Sequence, residues 1–156
     1  MMEIRVAQTS DAEAIARVIN DAFRVAESFF ITRDRTSPEK VRDMLDRGKF
    51  LLARDAAGIA GCVYVELRGE RGYFGLLAVD PARQRRGLGR ELIDAAEEYV
   101  RGAGCGFMDI RIVNLRNELP PFYRSLGYFE TGAEPFTAGE TTREPCHFIV
   151  MSKPLL

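Results

Sequence analysis

The most constraining stretch of the chain is residues 73–101, YFGLLAVDPARQRRGLGRELIDAAEEYVR. An apolar run, 73–79, is stopped by Asp80-Pro81, and a basic turn carrying Gly87 and Gly89 leads into a helical pattern. Leu88, Leu92, Ala95, Ala96, Tyr99 and Val100 recur at helical spacing, while Arg90, Glu91, Asp94, Glu97 and Glu98 are predicted to lie off that face. Gly102 is the expected C-cap, and Arg101 suits the negative end of the helix dipole. The first turn of a helix offers backbone N–H groups without intrahelical partners, together with partial positive charge. Glycines at 87 and 89 would let an anion approach that backbone closely, and Arg83, Arg85 and Arg86 are candidate phosphate partners. A solvated basic loop capping an ordinary helix is the plainer alternative. The turn does not fit the dinucleotide G-x-G-x-x-G, because Leu92 stands at the third glycine, nor the P-loop, which needs Gly-Lys-Ser/Thr.

The run Gln84-Arg85-Arg86-Gly87-Leu88-Gly89 resembles the Q/R-x-x-G-x-G/A motif of the GNAT family of N-acyltransferases, with Leu77-Ala78-Val79-Asp80-Pro81 before it. The resemblance implies acetyl-CoA as acyl donor. Amides between Arg85 and Arg90 would meet its pyrophosphate, and an amide of Leu77, Ala78 or Val79 its thioester carbonyl.

Composition agrees with one ordinary domain over residues 1–156. The chain holds 46% hydrophobic and 29% charged residues with a formal net charge of −1. No general attraction to nucleic acid or anionic membrane follows, and the local basic cluster suits a phosphate-bearing small molecule better than a polymer. The N-terminal residues Met1-Met2-Glu3-Ile4-Arg5 show no signal h-region, and no stretch reaches the ~20 apolar residues of a membrane span. Cys62, Cys105 and Cys146 are odd in number without C-x-x-C spacing, which predicts reduced thiols and a cytoplasmic setting. A single histidine argues against a structural metal site.

Along the chain, 3–7 reads as a strand and Thr9-Ser10-Asp11 opens a helix, with Ser10 and Glu13 as a capping box. Ile15, Val18, Ile19, Ala22 and Phe23 form its apolar face, and 24–36 reads as a loop or short helical turn. Ser37-Pro38-Glu39 starts a second helix that ends at Gly48. Strands are predicted at 50–54, 59–67, 73–79, 107–113, 128–131 and 146–151, with a short helix at 120–125. In 59–67, Cys62, Tyr64 and Glu66 share one face and Val63, Val65 and Leu67 the other. Periodicity alone gives α plus β. The order β-α-α-β-β-β-α-β-α-β-β is that of the GNAT fold, an α/β (α+β) mixed sheet flanked by helices.

A second segment, Pro121-Phe122-Tyr123-Arg124-Ser125-Leu126-Gly127-Tyr128, resembles the family's F/L-Y-x-x-L-G-F/Y signature. By that likeness Tyr123 is the general acid toward the leaving thiolate, chemistry within reach of a phenol. The competing reading makes Phe122, Tyr123, Leu126 and Tyr128 plain core residues. Many family members carry a cofactor-contacting asparagine seven residues before the tyrosine, where this chain has Arg116; Asn114 and Asn117 flank it as the cofactor-binding candidates. The general base, often a glutamate near the start of the central strand, is not matched, since Gly72 and Tyr73 stand there. Glu66 is the best replacement, ahead of Glu70 and Asp109. His147 and Cys146 read as packed rather than catalytic.

In the family the acceptor enters between the loop joining the first two helices and the region before the last strand. Those are 29–36 and 134–145 here; the first carries Phe29, Phe30, Arg33, Asp34 and Arg35, of which Phe29, Phe30 and Arg33 are the candidate substrate contacts, and the second Glu134, Phe136, Glu140, Arg143 and Glu144. The acceptor is expected to be a small amine, an amino acid or a protein amine, and the protein a monomer or homodimer. An acetyl-CoA-dependent N-acetyltransferase is the leading reading. A non-catalytic acyl-CoA sensor or partner module is the rival, and a site for another nucleotide a weaker third.

Overall fold

The computed structural model describes residues 3–30, 34–83, 87–136 and 145–156. Gln84, Arg85, Arg86 and Arg33, with Glu140, Arg143 and Glu144, lie outside the described residues.

The strands are β1 (Glu3–Val6), β2 (Lys49–Asp55), β3 (Gly58–Arg68), β4 (Arg71–Val79), β5 (Phe107–Val113), β6 (Phe129–Pro135) and β7 (His147–Pro154). The helices are α1 (Ala12–Glu27), α2 (Pro38–Leu45), α3 (Leu88–Gly102) and α4 (Leu119–Ser125). This is the element order expected from the sequence. The strands make one seven-stranded sheet in the order β1-β2-β3-β4-β5-β7-β6. Every neighbouring pair is antiparallel except β4 with β5. That mixed pairing follows from the connections: the hairpin turns between β2, β3 and β4 reverse the chain, whereas the β4–α3–β5 crossover brings it back in the same direction.

Period-two alternation splits β3 between two cores, as its pattern predicts. Val63 and Val65 face α3, packing with Leu92, Ile93, Ala96 and Val100. Cys62 and Tyr64 face α1 and α2, packing with Ile15, Val18, Ile19 and Val41. At ~25 cal/mol per Å² of apolar surface removed from water, these two layers are the main source of stability.

Several local expectations are corrected. The capping interaction is made by the pair Gln8 and Asp11, ahead of the expected Ser10 and Glu13: Asp11 Oδ2 accepts from the Gln8 N–H at 2.8 Å, and a 3₁₀ turn over Thr9–Asp11 leads into α1. Helix α1 does not stop after Phe23 but continues to Glu27, because Glu27 extends the inward stripe and finds buried partners there. Gly102 is inside α3; Gly104, with φ of 90°, makes the left-handed turn, and the Cys105 N–H reaches back to Val100 O at 3.3 Å. Glu97, expected off the apolar face, is only 5% exposed. It accepts a hydrogen bond from Tyr128 Oη at 2.7 Å and pairs with Lys153 Nζ at 2.9 Å. Ser37 Oγ caps α2 as expected, accepting from the Lys40 N–H at 3.2 Å.

Candidate active site

The site begins where β4 and β5 part. Their parallel ladder has three rungs, Arg71 with Phe107, Gly72 with Met108 and Tyr73 with Asp109, and ends there. From that point β5 stays with β7 along its full length, up to Val113 opposite Phe148. Strand β4 instead follows β3, where a bulge shifts the register: Cys62 pairs with Ala78 but Tyr64 with Gly75. Leu76, on the bulged segment, has φ of 50°, the one non-glycine residue with positive φ among the described residues. A leucine in that region is strained, and strain of this kind is tolerated where surrounding structure fixes the backbone. The bulge sharpens the local twist and turns β4 away from β5.

A cavity of about 470 Å³ fills the opening. Phe74, Gly75, Leu76 and Leu77 form one side and Ile110 to Val113 the other, while Leu119, Phe122 and Tyr123 close it from α4. Beyond Tyr73, the facing edges of β4 and β5 make no ladder with each other, so their backbone donors and acceptors are offered to the cleft. Of the three candidate donors to a thioester carbonyl, Leu77 lies on the cavity wall. Ala78 is buried against the α1 core, and Val79 ends β4 opposite Gly61.

Gly87 caps α3 with φ of 85°, a conformation that glycine takes without steric cost. The Glu91 N–H makes a hydrogen bond to Gly87 O at 2.9 Å, so the N–H groups of Leu88, Gly89 and Arg90 precede the helix's own i→i−4 ladder. A Cβ added at Gly87 or at Gly89 would meet nothing within 4 Å, and Leu88, 1% exposed, anchors the turn to the core. Among the described residues no side chain caps this positive end of fifteen-residue α3. Arg83 is not available to a phosphate, contrary to expectation. Its guanidinium holds the β2–β3 hairpin, reaching Asp55 Oδ1 at 2.5 Å, Ala57 O at 3.1 Å and Gly58 O at 3.2 Å. Arg90 is exposed and pairs with Asp94 at 3.5 Å.

Tyr123 is 5% exposed and sits among Phe74, Phe122 and Tyr128, with ring centroids 5.1 to 6.1 Å away. It is therefore both a core residue and part of the cavity wall. Burial pushes its phenol up to about 12, with Arg116 acting in the opposite direction, so it is protonated at neutral pH. Glu66 lies on the same cavity and accepts from Tyr64 Oη at 2.6 Å and Arg68 Nε at 2.7 Å. Burial acts to raise its carboxyl, but these two donors outweigh that and hold it below the ordinary glutamate range.

Other candidates are placed differently. Asn114 Oδ1 accepts from the His147 N–H at 2.8 Å, which fastens the end of β5 to β7, and Asn117 is exposed. Phe30 is fully buried with Val113 and Phe148, and Phe29 stands outside it, 52% exposed. Arg116, at the place of the family's asparagine, lines the cavity and pairs with Glu27 at 2.9 Å and Glu118 at 2.9 Å.

Sequence reasoning placed Arg35 on the acceptor segment but missed the buried Glu27 that it shares with Arg116. Glu27 is 3% exposed, with Arg116 on Oε2 and Arg35 Nε at 3.8 Å from Oε1. Burial raises its carboxyl, against the pull of both arginines. The available signal was spacing: Glu27 follows Ile15, Ile19 and Phe23 at four-residue steps on the inward stripe of α1. Tyr73 is the other missed residue. Its ring has Arg68 at 4.3 Å and Arg111 at 5.5 Å, and its hydroxyl lies over Gly75, where a Cβ would come within 2.5 Å of it. No group of three or more His, Cys, Asp or Glu side chains that could hold a metal occurs among the described residues. None of their helices is long and apolar enough to cross a membrane.

Comparison with known proteins gives the same architecture a family. The model of the family described as "Acetyltransferase (GNAT) domain" matches residues 46–130. Mycothiol acetyltransferase of Propionibacterium freudenreichii subsp. shermanii is 27% identical over 124 residues, covering 76% of this chain and 40% of that protein. The chain thus spans about two fifths of the length of this curated relative. The PaiA N-acetyltransferase of Thermoplasma acidophilum in complex with coenzyme A superposes with a TM-score of 0.80 at 17% identity, covering 99% of each chain. YncA of Salmonella typhimurium, a putative acetyltransferase solved with acetyl-CoA, superposes with a TM-score of 0.72 at 21% identity, covering 99% of this chain and 94% of that one.

Proposed function

The chain belongs to the GNAT acetyltransferase family, and from that premise we propose that it is an acetyl-CoA-dependent N-acetyltransferase acting on a primary amine. The observation that carries this reading is the parting of β4 from β5 after Tyr73, which opens a cleft bordered by unpaired strand backbone. Both ends of a long phosphate-bearing thioester have a matching surface here. The amides at Gly87–Arg90 suit a pyrophosphate, and the β4 edge at Leu77 suits an amide-containing chain with a carbonyl at its end. Coenzyme A and acetyl-CoA in two solved relatives of the same fold support that choice of donor.

Acetyl-CoA would supply an activated acyl group, and the residues divide the remaining work. The β4 edge at Leu77 orients the thioester carbonyl and donates to the charge that develops on its oxygen. Phe74, Ile110, Ile112 and Phe122 keep water from the reacting centre. Attack by the neutral amine forms the C–N bond and breaks the C–S bond. Tyr123 gives its proton to the departing sulfur, and the proton lost by the nitrogen leaves toward Glu66, directly or through water. Tyr123 is suited to its part because burial keeps it protonated. Glu66 is a weak base, because Tyr64 and Arg68 already stabilise its charge. That weakness favours the second reading, a non-catalytic acyl-CoA-binding module.

Two measurements separate the alternatives. Acetyl-CoA at 100 times its Kd should stabilise the fold by about 2.7 kcal/mol, read as a rise in Tm that ATP and NAD do not give. Release of CoA thiol in the presence of an amine would then establish turnover. A rise in Tm without thiol release over a wide range of amines favours the binding module, and no rise at all sinks both.

A further inference from the structure

The cleft has a side that the acyl donor does not explain. Opposite the α3 turn, on the α1 and α2 side of the sheet, its wall carries Arg35, Arg47, Arg68, Arg111 and Arg116 against two carboxylates, Glu27 and Glu66. Pairing does not remove the excess. Glu66 serves Arg68 at 2.7 Å, and Glu27 is shared, with Arg116 at 2.9 Å and Arg35 at 3.8 Å. Two more carboxylates stand behind the wall: Glu118 on Arg116 and Glu134, half exposed, 3.5 Å from Arg111. Counting all four acids against the five arginines still leaves a cation over among the described residues. Among the described residues Arg47 is in no ion pair, standing beside Tyr64 and within reach of the charge on Glu66, and the buried Arg35 Nε makes no hydrogen bond.

These guanidiniums are also held in place. Arg35 lies over the rings of Phe23 and Phe136 at 5.3 and 5.7 Å, and Arg111 over Phe148 at 4.8 Å. Stacking fixes the planar fork and leaves its N–H edges for a ligand, an arrangement suited to a carboxylate or another planar or tetrahedral oxyanion. A purely cationic acceptor such as a polyamine would meet net repulsion at such a wall.

Resting on the transferase reading, we propose that the acceptor is an amine that carries its own anionic group, of the α-amino acid type, with Arg35, Arg47 and Arg111 binding the anion. The same charges serve the chemistry. A cationic surround disfavours the ammonium form of the acceptor and lowers its pKa, so the amine arrives neutral with little help from a base. This offsets the weakness of Glu66, whose charge is already stabilised by its two donors.

The experiment is a steady-state comparison of CoA release with L-alanine, L-leucine, L-methionine and L-phenylalanine, each against its carboxamide, with spermidine as the cationic arm. The expected result is a kcat/KM at least about tenfold higher for at least one free acid than for its amide, with spermidine poorest. Arg111→Gln should raise the KM of that acid about tenfold, leave the KM of its amide and of acetyl-CoA unchanged, and move the acid limb of kcat to higher pH. Amides or spermidine used as well as the acids would overturn the proposal while leaving the transferase reading intact. A protein that binds acetyl-CoA and acetylates none of the panel would also overturn the proposal, and it would favour the binding module over the transferase. Failure to bind acetyl-CoA would instead remove the transferase reading itself.

Discussion

Tyr64 donates its phenolic hydrogen to Glu66 across 2.6 Å, two positions along the same strand. The alternation of β3 puts both on the α1 face, so the pair is a direct product of strand geometry. The donor stabilises the carboxylate and helps keep Glu66 below its ordinary range. Tyr64→Phe removes that donor and should raise the pKa of Glu66, read by NMR titration of its carboxyl carbon. The sign for stability follows. A depressed folded pKa contributes stability above the unfolded pKa that is lost as pH falls through the folded value, so the variant should lose less stability on acidification than the parent. An unchanged Glu66 titration would mean that Arg68 and Arg47, without Tyr64, hold the carboxylate.

Tyr123→Phe deletes one oxygen and keeps the ring that packs against Phe74, Phe122 and Tyr128. Turnover should fall by about 10² to 10⁴, the usual cost of a lost general acid. The Kd for acetyl-CoA should stay within about twofold, since the ring still lines the cleft. Full turnover in this variant, measured by thiol release, would move the proton donor elsewhere and leave Tyr123 as packing.

The order of elements and the two faces of β3 were legible because they depend on short-range alternation, which a buried sheet enforces. Gly87 at the start of α3 was legible because its left-handed conformation, φ of 85°, favours glycine. The cleft's cationic side was not. Arg35 lies between α1 and α2 whereas Arg111 and Arg116 lie in and just after β5, and only the tertiary fold brings these two distant segments to one cavity. Glu97 was misread for a related reason: a charge on a helix is ordinarily solvated, and what buries this one is Lys153, fifty-six residues away. The role of Arg83 was likewise hidden, because proximity to the turn says nothing of the hairpin that claims its guanidinium.

That Glu97–Lys153 pair carries its own expectation. Glu97 accepts from both Lys153 and Tyr128 between α3 and the strands beneath it. Lys153→Met keeps the volume but strips the buried carboxylate of its cation, at a cost of about 3 kcal/mol, the low end for breaking a buried pair because Lys153 is partly solvated. Urea denaturation should show the loss as a lower midpoint at constant slope. The double variant Glu97→Gln, Lys153→Met should recover most of it, and no recovery would mean that the lysine's packing, not its charge, is what matters.

Glu27 tests the other buried carboxylate with the opposite sign. Its folded pKa is raised, burial outweighing the pull of Arg35 and Arg116. A group of that kind binds its proton more tightly folded than unfolded, so stability should increase as pH falls through the folded value and decline again only when other carboxylates titrate. Arg116→Met takes away the nearer of the two cations, at 2.9 Å, and leaves Arg35 at 3.8 Å. The carboxyl should then titrate at still higher pH, and the destabilisation should be largest where Glu27 is ionised and shrink as pH falls and Glu27 takes up a proton. Glu27→Gln in the same background should flatten that dependence, which urea midpoints collected from pH 5 to 8 would read. A destabilisation by Arg116→Met that stays constant across the range would assign the cost to lost packing and exclude the buried charge as its source.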